Sequence, residues 1–536
     1  MNDTSKFDAA LKKTLNSEVS TTENDAVGFK TSGKKLLDLN FAVSSLRNKS
    51  EAEIEKMFSE AYYESPLLAI KFMFFMRDVR QGMGERRSFR ICMKWLAGVR
   101  PDVAQKVVKL VADYGRFDDL FCLVNPDKNA ITTGIVEYEV IKIIDEQWAA
   151  DVKNMNNGKA ISLLAKWLPS VNTSSPKSVA LAKYFCKKFG LSEKQYRKTL
   201  SAMRKYLNVI EQKMSAKQWN EIDYSAVPSK ANVKYNAAFL RNDEARRREF
   251  LSKLEKGEAK INSSANFPSD IVHAYAQKGV GYSYYYQTDT TIDPALEAMW
   301  KALPNIAVNG NVLAVADGSG SMTCRASNGS NMTALEVANA LAIYCAEHCT
   351  GPFNNKYITF SSCPQYVDMS KAKTLAEKLD IAYKHNECAN TNLEATFDLV
   401  LQTAVEHNLK QEDIPTLVIL SDMEIDAGAD FGSGYSYWNN ISNYSARKTA
   451  LMEKIRQKYA VHGYSLPRTI WWNICSRTGT IPMTQNPDTG IILCSGYSQS
   501  QFKMIASNKT DPYEVLVEAL NVERYAPIEN AIKDVV

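Results

Sequence analysis

Between about Leu36 and Glu255, apolar residues recur at three- and four-residue spacing, which puts them on one face of a helix. The pattern predicts helices over Ala52–Ala61, Ser65–Phe75, Arg87–Ala97, Val103–Asp113, Thr133–Ile144, Lys177–Phe189, Glu193–Tyr206 and Asp243–Leu254, with no convincing strand among them. The connections are short and carry Gly, Pro or Asn, as at Gly82–Gly84, Asn125–Pro126 and Pro169–Pro176. Many short helices with tight turns predict a helical-repeat array or an irregular bundle, and the repeat reading rests on helix spacing alone, without a sequence period.

From Asn311 the pattern changes. Short apolar runs at Val312–Ala316, Lys356–Phe360, Thr416–Leu420, Thr469–Ile474 and Gly490–Leu493 read as strands. Between and after them, Thr333–His348, Leu375–Tyr383, Leu393–His407, Ala446–Tyr459 and Gln499–Ser507 read as helices. Apolar strands alternating with helices predict a Rossmann-like α/β fold whose mainly parallel sheet is covered on both faces. The expected organisation is multidomain: a flexible polar tail over residues 1–30, an all-α domain over 31–300 and an α/β domain over 301–536. Residues 256–310 form a transition. Tyr282 and Tyr284–Tyr286 in it have rings that can stack on bases, although a linker packed on a neighbouring domain accounts better for the stretch.

Composition narrows the class. Of 536 residues, 45% are hydrophobic and 23% charged, which is ordinary for a soluble globular protein. The opening MNDTSKFDAALKK lacks an apolar core of the secretory type. The apolar stretch Leu67–Met76 contains Lys71 and is too short to span a bilayer. The ten cysteines show no paired CxxC spacing and read as reduced thiols. Cys345, His348 and Cys349 share a helix face, where packing is the favoured reading over metal. A cytoplasmic protein without membrane contact is expected.

Charge separates the two halves. Residues 1–300 carry 46 Lys and Arg against 36 Asp and Glu, whereas residues 301–536 carry 19 against 24. Within the first part, residues 151–250 hold 20 basic and 8 acidic side chains, a net +12. Such asymmetry fits a polyanionic partner, and a solvated Lys-rich helix surface accounts for it equally well.

The sharpest chemistry lies where the first predicted strand runs into Asp317-Gly318-Ser319-Gly320-Ser321. One carboxylate and two hydroxyls alternate just past a strand's carboxyl end, and the glycines let the loop turn tightly enough for the oxygens to converge. Oxygen ligands of low charge suit a hard divalent cation, Mg²⁺ first. Thr391, ahead of a predicted helix, fits a third hydroxyl. Asp422, directly after the apolar strand Leu417–Leu420, fits a second carboxylate. Glu424 and Asp426 nearby can tune the site, though water-facing positions are the favoured reading for them.

This DxSxS sequence, the later Thr and the strand-end Asp resemble the metal-ion-dependent adhesion site of von Willebrand factor A domains. The resemblance implies that Asp317, Ser319, Ser321, Thr391 and Asp422 contact or flank the metal. It also implies that a carboxylate of a protein ligand fills the position left open. Asn390 stands where that family often has Gly. Catalysis is not expected. None of the five histidines (His273, His348, His385, His407 and His462) sits in a recognisable motif, and there is no Gly-rich phosphate loop with Lys and no HExxH.

The helical part carries a second resemblance, to the helical domain of the Ro autoantigen and its bacterial relatives, the TROVE family. The segments that carry it are Arg77–Arg86 (RDVRQGMGER), Tyr114–Leu120 (YGRFDDL), Leu164–Ser170 (LAKWLPS), Tyr196-Arg197-Lys198, and Ile222-Asp223-Tyr224 through Val227-Pro228-Ser229. From residues alone, Gly82 and Gly84 end one helix and start another, and Asp118 and Asp119 cap a helix or pair with Arg116. The resemblance implies a ring of helical repeats that binds small or misfolded RNA, taking single-stranded ends in its hole. The basic run fits that role: Lys187, Lys188, Lys194, Arg197, Lys198, Arg204 and Lys205, with Tyr196 and Tyr206 interleaved. The expected function is an RNA-binding ribonucleoprotein scaffold with a Mg²⁺-dependent ligand site. The alternative is a metal-dependent protein assembly module that never meets nucleic acid.

Overall fold

The structure is a computed structural model. It describes residues 19–126, 134–277, 292–426, 451–481, 490–505, 507 and 509–536. The tyrosine-rich stretch of the transition, including Tyr282 and Tyr284–Tyr286, lies outside the described residues. The chain forms two compact units, one drawn from Met1–Lys49, Val272–Thr291 and Asn305–Ala519, the other from Ser50–Ile271, Ile292–Pro304 and Leu520–Val536.

The second unit is helical, with no strand among its described residues. Its helices include Glu51–Glu64, Pro66–Arg77, Arg87–Val99, Gly134–Asn156, Pro176–Lys188, Glu193–Tyr206, Ser229–Asn242 and Glu244–Glu255. Local chemistry sets their ends. Ser50 and Glu53 exchange side-chain and backbone hydrogen bonds at the first helix, and Ser192 and Gln195 do the same at the helix that starts with Glu193. Pro66 occupies a first-turn position where its missing N–H costs nothing. Between Arg77 and Arg87 the chain makes a turn that only Gly82 permits, because a Cβ there would stand 1.9 Å from the Phe75 carbonyl oxygen. Gly84 follows at φ +75°.

Buried Asp119 ties three segments of this unit together. Its carboxylate accepts from Arg77 Nε at 2.8 Å, Arg90 Nε at 2.7 Å and the Arg116 backbone N–H at 3.0 Å. Asp118 takes the remaining arm of Arg90 at 2.8 Å. These two acids are therefore structural here, the capping and pairing role their sequence context allows.

The first unit holds the sheet. Strands β1 (Val19–Thr21) and β2 (Val27–Phe29) form an antiparallel hairpin. The main sheet comprises β3 (Val312–Asp317), β4 (Lys356–Phe360), β5 (Gln365–Asp368), β6 (Thr416–Ser421), β7 (Thr469–Asn473) and β8 (Ile491–Ser495) in the order β5-β4-β3-β6-β7-β8. All pairings are parallel except β4 with β5, an edge strand that the hydrophobic pattern does not reveal. β3, β7 and β8 are buried along their whole length, as strands covered on both faces must be. The helix Ala334–His348 is buried almost throughout, with Thr333 and Glu336 closing a capping box at its start. From β3 the chain goes to β4 on one side and later returns to β6 on the other. The strand order therefore reverses at β3, and ligands of open α/β sheets bind at the carboxyl ends of strands beside such a reversal.

The expected boundaries need three corrections. The polar tail does not extend to residue 30: residues 19–29 form the hairpin, whose Thr22 hydroxyl donates to the Ile425 carbonyl at 2.5 Å. The helix Lys35–Ala42 belongs with the sheet. Asn40 donates to the Leu493 carbonyl at 2.8 Å and Asn473 donates to the Phe41 carbonyl at 2.8 Å. Conversely, the C-terminal helix Ala526–Ile532 belongs to the helical unit, where Glu529 meets Lys71 at 2.6 Å and Arg524 meets Asp78 at 2.9 Å. Hydropathy cannot detect such exchanges, because an amphipathic helix shows only that it has a partner.

Candidate functional site

In the sheet unit, Asp317 ends β3 and Asp422 follows β6, so parallel pairing brings the two carboxylates to the same edge. Both are fully buried. Asp317 accepts from the Ser319 backbone N–H at 2.9 Å and from the Ser421 hydroxyl at 2.5 Å. Ser319 Oγ and the half-buried Ser321 Oγ stand 3.1 Å apart, and the Ser321 side chain hydrogen-bonds to Asp422. Burial, then the Asp422 carboxylate, pushes the Asp317 carboxyl above the usual carboxylate range. Burial also raises Asp422, against the opposing pull of Arg477. Two acids facing each other out of water are costly unless a cation joins them.

Thr391 reaches this edge through its loop. The Cys388 N–H donates to the Gly318 carbonyl at 2.8 Å, and the Gly320 N–H donates to the Ala389 carbonyl at 2.9 Å. The approach is close: a Cβ on Gly318 would lie 2.9 Å from Asn386 Oδ1 and from Thr359 Oγ1. Thr391 itself is buried, and its backbone is held by Asp426, which accepts the Thr391 N–H at 2.9 Å. The structure thus brings Asp317, Ser319, Ser321 and Asp422 into one cluster and ties the loop of Thr391 to it. Among the described residues, no group of three or more His, Cys, Asp and Glu is placed to hold a metal. The cluster is instead two carboxylates with hydroxyls, a donor set suited to a hard cation.

Glu424 does not face water, contrary to expectation, whereas Asp426 is half-buried. Glu424 is fully buried and accepts from the backbone N–H groups of Glu23 at 2.9 Å, Arg477 at 2.7 Å and Thr478 at 3.0 Å. Sequence context could not place Glu424, since its donors are residues 23 and 477–478. Arg477 is a further residue that motif reading misses. Its guanidinium approaches Asp422 Oδ2 at 3.3 Å and Glu23 Oε1 at 2.7 Å.

The helical unit has its own candidate, a concavity of about 1680 Å³. Its lining includes nine Lys and Arg residues and two Glu. Arg77, Arg86, Arg116, Lys166 and Trp167 come from three segments singled out in the sequence, and Pro228 from a fourth. Arg116 stacks over the Trp167 ring at 3.9 Å. Arg86, Lys166, Lys205 and Lys234 line the concavity without a carboxylate partner among the described residues.

The basic run on Pro176–Lys188 and Glu193–Tyr206 divides. Lys187, Lys188, Lys194, Arg197 and Lys198 are exposed but lie outside the concavity, whereas Arg204 and Lys205 line it. Arg204 is committed to structure, donating to the carbonyls of Ala165 at 2.8 Å and Leu168 at 2.6 Å. Tyr196 cannot stack on a base: it is fully buried and stacks on Trp148 with centroids 5.4 Å apart. Its helical spacing gave the burial away, because Tyr196, Leu200 and Met203 share one face.

Comparison with known proteins divides the chain near residue 310. Residues 311–528 match a domain of unknown function, DUF7788. Residues 22–121 and 186–310 match another, DUF2828. The chain is also similar to uncharacterized protein L728 of Acanthamoeba polyphaga mimivirus, with 29% identity over 532 residues, covering 94% of this chain and 87% of the viral protein. All five candidate cation residues fall within the DUF7788 match. No described helix is long and apolar enough to cross a membrane.

Proposed function

We propose that the protein is a non-catalytic RNA-binding scaffold. In this reading the helical unit, a TROVE-like repeat array, holds single-stranded RNA in its basic concavity. The sheet unit, a von Willebrand A-type domain, offers a Mg²⁺-dependent site to a carboxylate of a protein ligand. One observation carries the RNA reading: segments distant in sequence and chosen for their motifs converge on one concavity rich in Lys and Arg. Lysines there neutralise phosphates without reading sequence. Trp167 adds an aromatic face of the kind on which unpaired bases stack.

The cation reading is supported by the pair of buried carboxylates at the reversal of strand order, with hydroxyls beside them. Asp317, Ser319, Ser321, Thr391 and Asp422 are the residues that would hold Mg²⁺. The ion would supply a positive charge able to accept an outside carboxylate. Fluorescence anisotropy with single-stranded and hairpin RNA across a salt series tests the scaffold. If RNA is ignored at low salt while Mg²⁺ binds, the metal-dependent protein assembly reading replaces it.

A further inference from the structure

Cys324 and Cys475 lie 151 residues apart in sequence, yet their sulfurs stand 3.9 Å apart. Cys324 directly follows the short turn Gly320–Thr323 that carries Ser321. Cys475 lies just beyond β7 and is 3% exposed, while Cys324 is partly open to solvent. The same Arg477 Nη1 that reaches Asp422 at 3.3 Å reaches Cys324 Sγ at 3.6 Å. The thiol pair and the acid cluster thus share one guanidinium.

We propose that Cys324 and Cys475 are a reversible disulfide-forming site that governs the neighbouring cation cluster. The oxidant is a low-molecular-weight disulfide. The Cys324 thiolate attacks one of its sulfurs, forming a mixed disulfide and releasing one thiol. The Cys475 thiol then loses its proton to solvent and attacks the Cys324 sulfur, and the second small thiol leaves. Two protein thiols are oxidised to one disulfide, and the small disulfide is reduced to two thiols. A sulfur–sulfur bond is about 2 Å long, so closure draws the Ser321 turn toward the loop after β7. It also removes the thiol from Arg477, whose remaining partners are the carboxylates. Both changes disfavour a cation at Asp422.

The test treats the reduced full chain with oxidised glutathione, blocks the remaining thiols with N-ethylmaleimide, and maps unreduced peptides by mass spectrometry. Exposed Cys363 reports that the oxidant acted. The expected result is a Cys324–Cys475 cross-link that dithiothreitol reverses, and, in Cys475→Ser, glutathione retained on Cys324. Glutathione retained on Cys324 in the parent, or both thiols alkylated while Cys363 is modified, overturns the site. The regulatory half rests on the cation reading: oxidation is expected to weaken Mg²⁺ binding about tenfold. Unchanged Mg²⁺ affinity in cross-linked protein overturns regulation. Absence of Mg²⁺ binding in both redox states defeats the cation reading itself, and the cross-link map separates the two failures.

Discussion

Arg477 places Nη1 3.3 Å from Asp422 Oδ2, so a guanidinium from the loop after β7 stands beside the acid that follows β6. The side chain of Asp422 is fully buried and that of Arg477 is 35% exposed. The contact compensates part of the charge that two facing acids, Asp317 and Asp422, would otherwise leave uncovered. A cation bound there competes with it.

Arg477→Gln is therefore expected to act in two directions. Without divalent cation it should cost about 1–3 kcal/mol, because Asp422 loses a charged partner. Mg²⁺ affinity should rise severalfold in the same variant, since the competitor is gone. Calorimetry and urea unfolding measure the two effects. Weaker Mg²⁺ binding in the variant would mean that Arg477 supports the ion and does not compete with it.

Asp317→Asn separates the cation from the fold. At a Mg²⁺ concentration a hundred times its Kd, the parent should gain about 2.7 kcal/mol of stability. The variant should gain nothing. Without cation the variant should be at least as stable as the parent, because one of two facing buried carboxylates has become neutral. Thermal melts with and without MgCl₂ decide this, and an equal Mg²⁺-induced shift in both proteins contradicts the assignment.

Glu424→Ala removes the acceptor shared by Glu23, Arg477 and Thr478. Stranding these donors should cost on the order of 3 kcal/mol. The β1–β2 hairpin should become cleavable by protease before the sheet does. Simultaneous loss of hairpin and sheet would show that Glu424 supports the whole unit.

Much of this fold is legible in the sequence. The strand run Val312–Ala316 and the helix Ala334–His348, capped by Thr333, declare themselves by uninterrupted apolarity and a capping box, both local signals. The convergence of Asp317, Ser319 and Ser321 is also a local signal, since the three lie within five residues. What stayed hidden depends on distant partners. Arg477 and Glu424 acquire meaning only from each other and from Glu23. Strand β5 is four residues long with one buried position, too little for a pattern. The basic run divides in the fold. Clustering in sequence joins Lys187 to Lys205 in one run, of which only Arg204 and Lys205 line the concavity, alongside Arg86, Lys166 and Lys234 from separate helices and turns.

That last contrast supplies the most direct test of the scaffold. Anisotropy with a single-stranded RNA should show affinity falling linearly with salt on a log–log scale, by about 0.7 per phosphate contact. Replacing Lys166, Lys205 and Lys234 together by Glu should weaken binding to every sequence and flatten that slope by about 2. Replacing Lys187, Lys188, Lys194, Arg197 and Lys198 by Glu should do less. If the parent ignores RNA at low salt, or the concavity variant binds with undiminished affinity and slope, the basic concavity is not an RNA site and the scaffold account fails.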